Sequence, residues 1–598
     1  MPAINPIVAS LMDHFIPQPQ AIYIICSLAF GSLVCYVARW HRETVGEPSI
    51  LRELPNLGKR RYGERRIDGT AVVAGGSIAG LLAARVCSNH FTRVVIVEPE
   101  AWLSTTAGLA HDPRVGEGVD GMKPNPRTRV MQYNSMHNYH IYTYLALKEM
   151  FPDFEDEVRK IDPDAIARPD INVLVGGRRL SVPDSCYQGA SSMHLSIGRP
   201  TYETLLRKLV RRNCDNVEFA TGIVTGFQVA GKQGPDSTRQ RVRSVTIRSK
   251  DGAETTEPAL LLIDCTGPTQ AGLKWVSSPS HPLKVAKDIY DPKMFYTTCE
   301  FEVQPSMMDK VEVSEGYGNA RGILLYIPDP RTDRRTLYIF KREHNTRKSV
   351  IRHPSLVIQA YHLVYEVQIA CGGWDISDRP RSIDDLRTFI SGFKSSEAEP
   401  VPGYVFQILD VLELNKCGES ATYTDAKCAP CYFTKYHDVL DKVPTNFIAI
   451  GDSVMRLNPA RSQGCTKAMI GAATLSGVLN QTMPIFDTES SDVYLPKDFG
   501  KKFWERHSDR IAPLWTESKA GDYGWESTIP VEGETLKDGA LLRWYGRNFL
   551  SVAFKNEHVA TVLYNSSMFI APGSDAISPG IVIRVLWAGI KEYLGFTN

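Results

Sequence analysis

The 598-residue chain lacks an excess of charge of either sign, since 68 basic and 67 acidic residues leave a formal net charge of +1. No broad basic surface is implied, which argues against a nucleic-acid partner. An internal repeat or a long low-complexity tract is also missing, which excludes a repeat array. The 43% hydrophobic and 23% charged residues are typical of a large globular protein, and the length suffices for two or three domains.

The sequence also lacks the cysteine spacing of a disulfide framework or a zinc site. Its 12 cysteines occur mostly singly, and several fall inside predicted strands or helices, as in proteins of a reducing compartment. Cys428 and Cys431 form one C-x-x-C, but a second pair at zinc spacing is absent from the sequence. No metal site is therefore predicted.

What the sequence does contain is a strand, a glycine turn, a helix and a second strand over residues 68–100. The glycines permit a tight turn, a close approach to a pyrophosphate and a helix whose positive N-terminus faces that phosphate. An acid ends the second strand, where it can accept hydrogen bonds from both ribose hydroxyls. A serine at the middle glycine position makes the fit to G-x-G-x-x-G imperfect, but the strand, helix and acid around it support a dinucleotide site. The candidate cofactor-binding residues here are Gly75, Gly76, Ser77, Gly80 and Glu98.

A second strand, loop and helix pattern covers residues 446–480. Its short strand ends in Gly451 and Asp452. Pro459 follows seven residues after the aspartate, and a helix of small residues begins near Gly464. The pattern resembles the second FAD fingerprint of the flavoprotein monooxygenases, in which the aspartate binds a ribityl hydroxyl. The resemblance implies that the helix N-terminus faces the pyrimidine edge of the flavin and stabilises its anionic reduced form.

Three further segments resemble the same superfamily and follow its order along the chain. LLIDCTG resembles its D-A-T-G turn, SIGRPTYETLLRKLV its S-R-P segment, and RTRVMQYNSMHNYH the R-x-V-P-Q…H stretch of a branch rich in fungal and bacterial natural-product enzymes. The resemblance implies contacts with the flavin or its phosphates, and it makes Arg129 and His137 the candidate catalytic residues. The matched residues are Arg129, Gln132, His137, Arg199, Asp264 and Gly267.

These motifs lie far apart in sequence and must converge on one cofactor. The resemblance implies an α/β fold with a Rossmann-like FAD-binding domain of discontinuous segments and an inserted α+β substrate domain built on an antiparallel sheet. Candidate aromatic residues for the substrate pocket, with plain core packing as the alternative, are Tyr296, Phe301, Tyr326 and Tyr338. The predicted boundaries are 1–20 for a short N-terminal segment, 21–38 for a transmembrane anchor, 39–67 for a basic linker, 68–280 for the first part of the FAD domain, 281–440 for the substrate domain, 441–485 for the second part of the FAD domain and 486–598 for a C-terminal helical region.

The predicted anchor is the uncharged run AIYIICSLAFGSLVCYVA, residues 21–38. A helix of this length rises about 27 Å, close to the hydrocarbon thickness of an endoplasmic-reticulum bilayer. Basic residues follow the run instead of preceding it, which favours an anchor over a cleaved signal peptide and predicts a single-pass protein with a cytosolic catalytic domain. Two C-terminal segments, 541–554 and 577–596, are predicted either to lie in a membrane interface or to pack as ordinary helices.

The resemblance implies a single-component FAD-dependent monooxygenase, in which NAD(P)H reduces FAD and O2 then forms a flavin C4a-hydroperoxide that oxygenates the substrate. The sequence lacks a second glycine fingerprint, unlike disulfide reductases and Baeyer–Villiger enzymes. A membrane anchor suggests an apolar small molecule as substrate, so epoxidation or hydroxylation in polyketide or terpenoid secondary metabolism is predicted. The alternatives are a flavin-dependent reductase similar to geranylgeranyl reductases and a flavin-bound scaffold without turnover.

One segment has a partial likeness to another class of flavoenzyme. Trp525, Ile529 and Pro530 in GWESTIP match the W-x-W-x-I-P pattern of flavin-dependent halogenases. Ser527, however, stands where the second tryptophan belongs, and the segment follows the G-D turn instead of preceding it. Halogenation is therefore not predicted, and a surface turn explains the stretch.

Overall fold

A computed structural model gives the fold of the chain as two compact units. The large unit comprises residues 52–179 and 190–540, and the small unit comprises residues 1–51, 180–189 and 541–598. The residues that the structure describes are 30–33, 35–37, 50–61, 65–105, 107–109, 127, 129–130, 132–167, 172–180, 193–230, 240–309, 311–312, 322–328, 332–343, 345–353, 356–394, 401–486 and 493–594.

Strands and helices are numbered here in chain order. The strands are β1 (Ile67–Ala74), β2 (Phe91–Glu98), β3 (Ile166–Ala167), β4 (Asn172–Val175), β5 (Arg178–Leu180), β6 (His194–Leu195), β7 (Val217–Thr221), β8 (Ile223–Val229), β9 (Val242–Arg248), β10 (Glu254–Pro258), β11 (Leu261–Asp264), β12 (Lys287–Tyr290), β13 (Met294–Val303), β14 (Gly322–Ile327), β15 (Arg335–Lys341), β16 (Asn345–His353), β17 (Leu356–Trp374), β18 (Thr422–Lys427), β19 (Cys431–Thr434), β20 (Phe447–Ala449), β21 (Met455–Arg456), β22 (Ile485–Phe486) and β23 (Val493–Tyr494). The α-helices are α1 (Ile50–Glu53), α2 (Ile78–Ser88), α3 (Ile141–Met150), α4 (Phe154–Ile161), α5 (Arg199–Asn213), α6 (Ala271–Val276), α7 (Pro305–Met308), α8 (Ile383–Ser391), α9 (Gly403–Leu414), α10 (Gly464–Asn480), α11 (Phe499–Asp522), α12 (Ala540–Ala553), α13 (Glu557–Ser567) and α14 (Pro579–Tyr593).

The centre of the large unit is a parallel sheet in the order β20-β11-β1-β2-β7. Val72 and Val73 of β1 are fully buried, as expected for a strand covered on both faces. The register pairs Ala74 with Val97 on one side and with Asp264 on the other, so the strands end at one level. The predicted mixed α/β fold with a parallel, Rossmann-like sheet is confirmed, and the segments that carry the motifs meet at the carboxyl edge of that sheet.

The turn from β1 into α2 brings the backbone of the helix close to the strand. Gly75 has φ of +106°, a conformation that favours glycine. A Cβ atom on Gly80 would lie 1.8 Å from the carbonyl oxygen of Gly75. The last glycine of the motif is therefore required by packing between helix and strand, which is one of the roles that glycine has in dinucleotide-binding turns.

Replacing Gly80 with alanine is expected to destabilise the large unit by about 1–3 kcal/mol or more, because a backbone oxygen cannot rotate away from the added methyl group as a side chain can. The thermal unfolding midpoint measures this effect. Gly226→Ala is the matched control, since a Cβ there has no neighbour within 4 Å, and it should change stability by less than about 1 kcal/mol. Equal thermal unfolding midpoints for the two variants would contradict the close approach of Gly80 to the carbonyl oxygen of Gly75.

A second sheet of eight strands has the order β18-β13-β17-β15-β14-β4-β5, with β16 paired to β17. Its pairs are antiparallel around β13, β15 and β17, whereas β4 runs parallel to β14. The sheet includes β4 and β5, which lie outside the predicted substrate-domain range 281–440. Helices α8 and α9 cover one face, and the core between them contains Phe301 and Tyr326, both fully buried. These two aromatic residues therefore pack in the core and do not line a pocket.

The predicted transmembrane anchor at residues 21–38 and the single-pass, membrane-anchored localisation are corrected by the structure. Among the described residues, no helix is long and apolar enough to cross a membrane. Within this stretch, residues 30–33 and 35–37 are helical, and the remainder lies outside the described residues. An uncharged run in the sequence was therefore insufficient ground for the prediction.

The C-terminal part of the predicted region 486–598 belongs to the small unit, whereas α11 belongs to the large one. Helices α12, α13 and α14 pack together through an apolar cluster that includes Phe549, Val559 and Val585. On the outer face of α14, Ile583 is 65% exposed and Trp587 is 58% exposed. Contact of these helices with a membrane interface stays a prediction.

Candidate functional site

A cavity of about 370 Å³ opens at the carboxyl edge of the parallel sheet, in the size range of cofactor and ligand sites. It lies within the large unit, and the ends of β1, β2 and β11, the turn after β20 and the first turns of α2 and α10 line it. Gly80 and Asp264, which were also predicted site residues, do not line this cavity. The predicted site residues that line it are Gly75, Gly76, Ser77, Glu98, Arg129, Gln132, His137, Arg199, Gly267, Gly451, Asp452, Pro459 and Gly464.

Two helices begin at this cavity without a side-chain cap. The N-cap residues are Ser77 for α2 and Gln463 for α10, and neither side chain accepts a hydrogen bond from its helix. By contrast, the hydroxyl of Ser382, which begins α8 away from the cavity, accepts a hydrogen bond from the backbone N–H of Asp385. Uncapped first turns leave N–H donors and the positive end of the helix dipole for a ligand. The cavity is therefore suited to an anionic or carbonyl-bearing group at two separate points.

The serine at the middle glycine position does not obstruct the cavity. The hydroxyl of Ser77 donates a hydrogen bond to Oε2 of Glu203 on α5, at 2.9 Å. This contact turns the side chain toward a fully buried carboxylate instead of toward the cavity. The departure from G-x-G-x-x-G thus has a local explanation, because α5 supplies an acceptor for the serine that replaces the glycine.

Glu98 lies where the sequence places it, at the end of β2. Its Oε2 accepts a hydrogen bond from the N–H of Gly76 at 2.8 Å, and its Oε1 accepts one from the N–H of Glu100 at 3.2 Å. The Arg127 guanidinium lies 3.4 Å from Oε1. Each carboxylate oxygen has two lone pairs, so Glu98 retains acceptor capacity for hydroxyl groups in the cavity.

A cluster of buried charges, which was not predicted from the sequence, lies under the glycine turn. Glu203 contacts the guanidinium groups of Arg127 and of Arg207, the latter at 3.0 Å, and Arg199 approaches to 3.8 Å. The motif R-T-R at 127–129 does not reveal that Arg127 points inward whereas Arg129 is exposed. Buried charges require partners, and Glu203 pairs with these arginines together with Glu98 and Glu100, both of which contact Arg127.

Replacing Glu203 with alanine is expected to lower the free energy of unfolding by about 3–5 kcal/mol, because two buried guanidinium groups lose their shared carboxylate. Urea denaturation followed by fluorescence measures the change. The control is Glu218→Ala, which removes a carboxylate that is 57% exposed and paired with Arg93. This surface pair should contribute less than about 1 kcal/mol. A Glu203 variant as stable as the Glu218 variant would contradict the buried cluster.

Asp264 organises the loops behind the cavity. The fully buried carboxylate accepts hydrogen bonds from the N–H and hydroxyl of Thr266, from the N–H of Gly272 and from the hydroxyl of Ser453. Burial raises its pKa, although these donors act in the opposite direction. The N–H of Gly267 in turn donates to the Ser453 hydroxyl at 2.9 Å. Asp264 therefore joins the loop after β11 to the turn after β20 and supports the cavity from behind.

Asp452 lies on the turn after β20, and its side chain is 39% exposed toward the cavity. Lys467 of α10, only 1% exposed, donates to Oδ1 of Asp452 at 2.7 Å. Burial would raise the pKa of Asp452, but the Lys467 ammonium, with Arg456 and Arg199, holds that pKa below its usual value. Lys467 is not among the residues predicted from the sequence, although it is a single charge in a helix of small and apolar residues.

His137 has a defined tautomer. Its Nδ1 lies 2.8 Å from the carbonyl oxygen of Ser135, which can only accept, so Nδ1 carries the proton. Its Nε2 lies 3.3 Å from Nη1 of Arg199, which can only donate, so Nε2 accepts. Burial and the Arg199 charge lower the pKa of His137 to about 3. The imidazole is therefore neutral, and both of its nitrogen atoms are engaged, Nδ1 with the Ser135 carbonyl oxygen and Nε2 with Arg199.

In the free protein, His137 is expected to stay neutral from pH 8 to pH 5, because its pKa of about 3 lies below that range. NMR of protein with ¹⁵N-labelled histidine checks this, with the resonance assigned by its loss in His137→Gln and with exposed His558 as internal reference. The Nδ1 signal should show a bound proton and the Nε2 signal none throughout. Protonation of Nε2 above pH 5 would show that the contact with Arg199 is absent.

Two of the candidate pocket aromatics reach the site. Tyr296 lines the cavity, and its hydroxyl donates to the Ser135 hydroxyl at 3.3 Å. Burial raises the pKa of Tyr296 to about 12, so it is protonated at neutral pH. Tyr338 of β15 donates to the carbonyl oxygen of Ala460 at 3.3 Å, in the loop that precedes α10. The large sheet thus contacts the loop beside the candidate cofactor site.

The C-x-x-C pair lies beside the same cavity, and Cys428 lines it. A hydrogen bond with the Cys431 thiol, together with burial, raises the pKa of the Cys428 thiol well above its usual value. A protonated, buried thiol is a poor nucleophile. Within the described residues, no group of three or more potential metal ligands is present.

Comparison with known proteins gives matches of fold alone. No protein-family model matches the chain, and no curated protein matches it. The flavin-dependent brominase Bmp2 is 12% identical with a TM-score of 0.50, over 89% of this chain and 100% of that chain. A Klebsiella pneumoniae HpxO variant complexed with FAD is 13% identical, with a TM-score of 0.45, over 84% and 99%. Pseudomonas aeruginosa PqsL with 2-aminobenzoylacetate is 12% identical, with a TM-score of 0.45, over 76% and 95%.

These matches concern the predicted likeness to flavoproteins and give no information about the substrate. Among these three neighbours, Bmp2, with a TM-score of 0.50, supports the likeness of fold. The predicted resemblance to flavin-dependent enzymes is therefore confirmed as a likeness of fold. Fungal origin and a role in secondary metabolism have no counterpart in these matches.

Proposed function

We propose that the protein is an FAD-dependent monooxygenase that uses NAD(P)H and O2. The observation that carries the proposal is the convergence of two uncapped helix N-termini and two carboxylates on one cavity of about 370 Å³. Glu98 and Asp452 approach this cavity from the ends of β2 and β20. Carboxylates accept from hydroxyl groups and helix N-termini bind phosphate or carbonyl oxygens, so the site has the donors and acceptors that a dinucleotide with sugar hydroxyls requires.

The residues then have distinct roles in holding FAD. Glu98 accepts from the adenosine ribose, and the turn Gly75–Gly76 with the first turn of α2 binds the pyrophosphate. Asp452 accepts from the ribityl chain, and the first turn of α10, near Gly464, faces the pyrimidine edge of the flavin. When bound, FAD would supply the hydride and oxygen chemistry, while the chain binds and orients the cofactor and excludes water.

The proposed substrate is an apolar small molecule, such as a polyketide or terpenoid of secondary metabolism, that is epoxidised or hydroxylated. Support comes from the apolar part of the cavity wall, where Met136, Tyr296 and Leu457 lie. His137 has both nitrogen atoms engaged and is assigned to orient Arg199, whereas exposed Arg129 at the cavity edge is the candidate for direct contact. No proton donor is assigned to the oxygenation step itself.

A flavin-dependent reductase similar to geranylgeranyl reductases is the alternative, and oxygen consumption separates the two. With FAD-loaded protein, NADPH and a panel of olefins and phenols, a monooxygenase consumes one O2 for each oxygenated product, as measured by an oxygen electrode and mass spectrometry. A reductase yields a hydrogenated product without consuming O2. Including bromide in parallel reactions tests halogenation, and a brominated product would overturn the monooxygenase proposal.

Asp452→Ala and Glu98→Ala are each expected to weaken FAD binding by about 1.5–3 kcal/mol, or roughly 10- to 150-fold in Kd, because each removes a charge-assisted acceptor. Titration of the apoprotein with FAD, followed by quenching of flavin fluorescence, gives the Kd. Glu218→Ala removes an exposed carboxylate of the same sheet and should bind FAD as the wild type does. Full flavin occupancy in either site variant would refute the proposed placement of FAD.

A further inference from the structure

Lys467 is an unusual residue for its position. It is the one charged residue in the 17-residue helix α10, and its side chain is only 1% exposed. Burying an ammonium group is costly unless it is paired and hydrogen-bonded. Such a group in a helix of small and apolar residues therefore calls for a specific role.

The contacts of Lys467 point to the candidate cofactor site. Its Nζ donates to Oδ1 of Asp452 at 2.7 Å and also donates to the backbone carbonyl oxygen of Met455 in β21. The ammonium is thereby fixed between the turn after β20 and the first turns of α10. Oδ1 of Asp452 accepts this hydrogen bond, and Oδ2 keeps its acceptor capacity for a hydroxyl group in the cavity.

Several other groups face Asp452. Arg456 of β21 and Arg199 of α5 add positive charge, and Cys465 lies on the same helix as Lys467. The hydroxyl of Tyr432 in β19 donates to the backbone carbonyl of Asp452 at 2.6 Å, and burial raises the pKa of this tyrosine, so it is protonated at neutral pH. Among these groups in the described chain, Lys467 alone donates to the carboxylate itself.

We propose that Lys467 is a positioning residue for FAD, which keeps the Asp452 carboxylate ionised and turned so that Oδ2 meets the ribityl chain. The inference rests on the proposed function and assigns a role to a residue outside the sequence fingerprint. Without the ammonium, burial opposes ionisation of Asp452 and the carboxylate is free to rotate. FAD affinity should then depend on pH in a range where the wild type is insensitive.

The test measures the Kd for FAD at pH 8 and pH 5 in wild type, Lys467→Met, Lys467→Arg and Lys442→Met. The last variant removes an exposed lysine before β20 and serves as the matched control. We expect flat profiles for the wild type, the control and the arginine variant. Lys467→Met should bind FAD about tenfold more weakly at pH 8 and should lose further affinity between pH 8 and pH 5, as its Asp452 takes up a proton. If the Kd of Lys467→Met changed with pH no more than the wild-type Kd does, the proposal would be overturned.

A merely structural role for Lys467 gives a different result in combination with Asp452→Asn. If Lys467 acts through the carboxylate, adding Lys467→Met to Asp452→Asn should change the Kd by less than about threefold. If Lys467 only supports the helix, adding Lys467→Met to Asp452→Asn should weaken FAD binding as much as it does in the wild type, and the proposal would be wrong. Thermal melting shows whether Lys467→Met folds. If it does not, Lys467→Gln, which keeps a neutral donor, takes its place and is compared with Lys467→Arg. Failure of wild-type protein to bind FAD would instead refute the proposed function.

Discussion

The common level at which the parallel strands end is the constraint on which the rest of the site depends. Register pairs the last residue of β1 with residues of both β2 and β11, and β20 continues the alignment. Residues that are nearly 400 positions apart in sequence therefore meet at one edge. The glycine turn, the acid after β2 and the turn after β20 need no contacts with one another to converge, because the sheet already places them.

Buried charge is the second recurring theme, and it is balanced locally. Glu203 neutralises arginines beneath the glycine turn, Asp264 is held by four neutral donors, and Lys467 pairs with Asp452. Each arrangement holds a polar side chain through contacts within the protein, which is a form of preorganisation that suits a binding site. The same burial makes each arrangement costly to break, since the remaining partner is left in a medium of low dielectric.

The sequence predicted the parts of the site that local backbone chemistry determines. A glycine turn between a strand and a helix, or Asp452 after a short strand, has a pattern within a few residues. It did not predict Glu203 or Lys467, because their roles arise from contacts between segments far apart in the chain. The transmembrane prediction was wrong because it relied on the hydropathy of residues 21–38 alone, and no helix among the described residues is long and apolar enough to cross a membrane.

The contact between Tyr338 and the carbonyl of Ala460 links two parts of the large unit with different tasks. Tyr338 belongs to the broad antiparallel sheet, whereas Ala460 belongs to the loop from which α10 starts. This hydrogen bond ties the loop before α10 to the antiparallel sheet, so the position of the helix N-terminus depends on packing in both parts of the large unit.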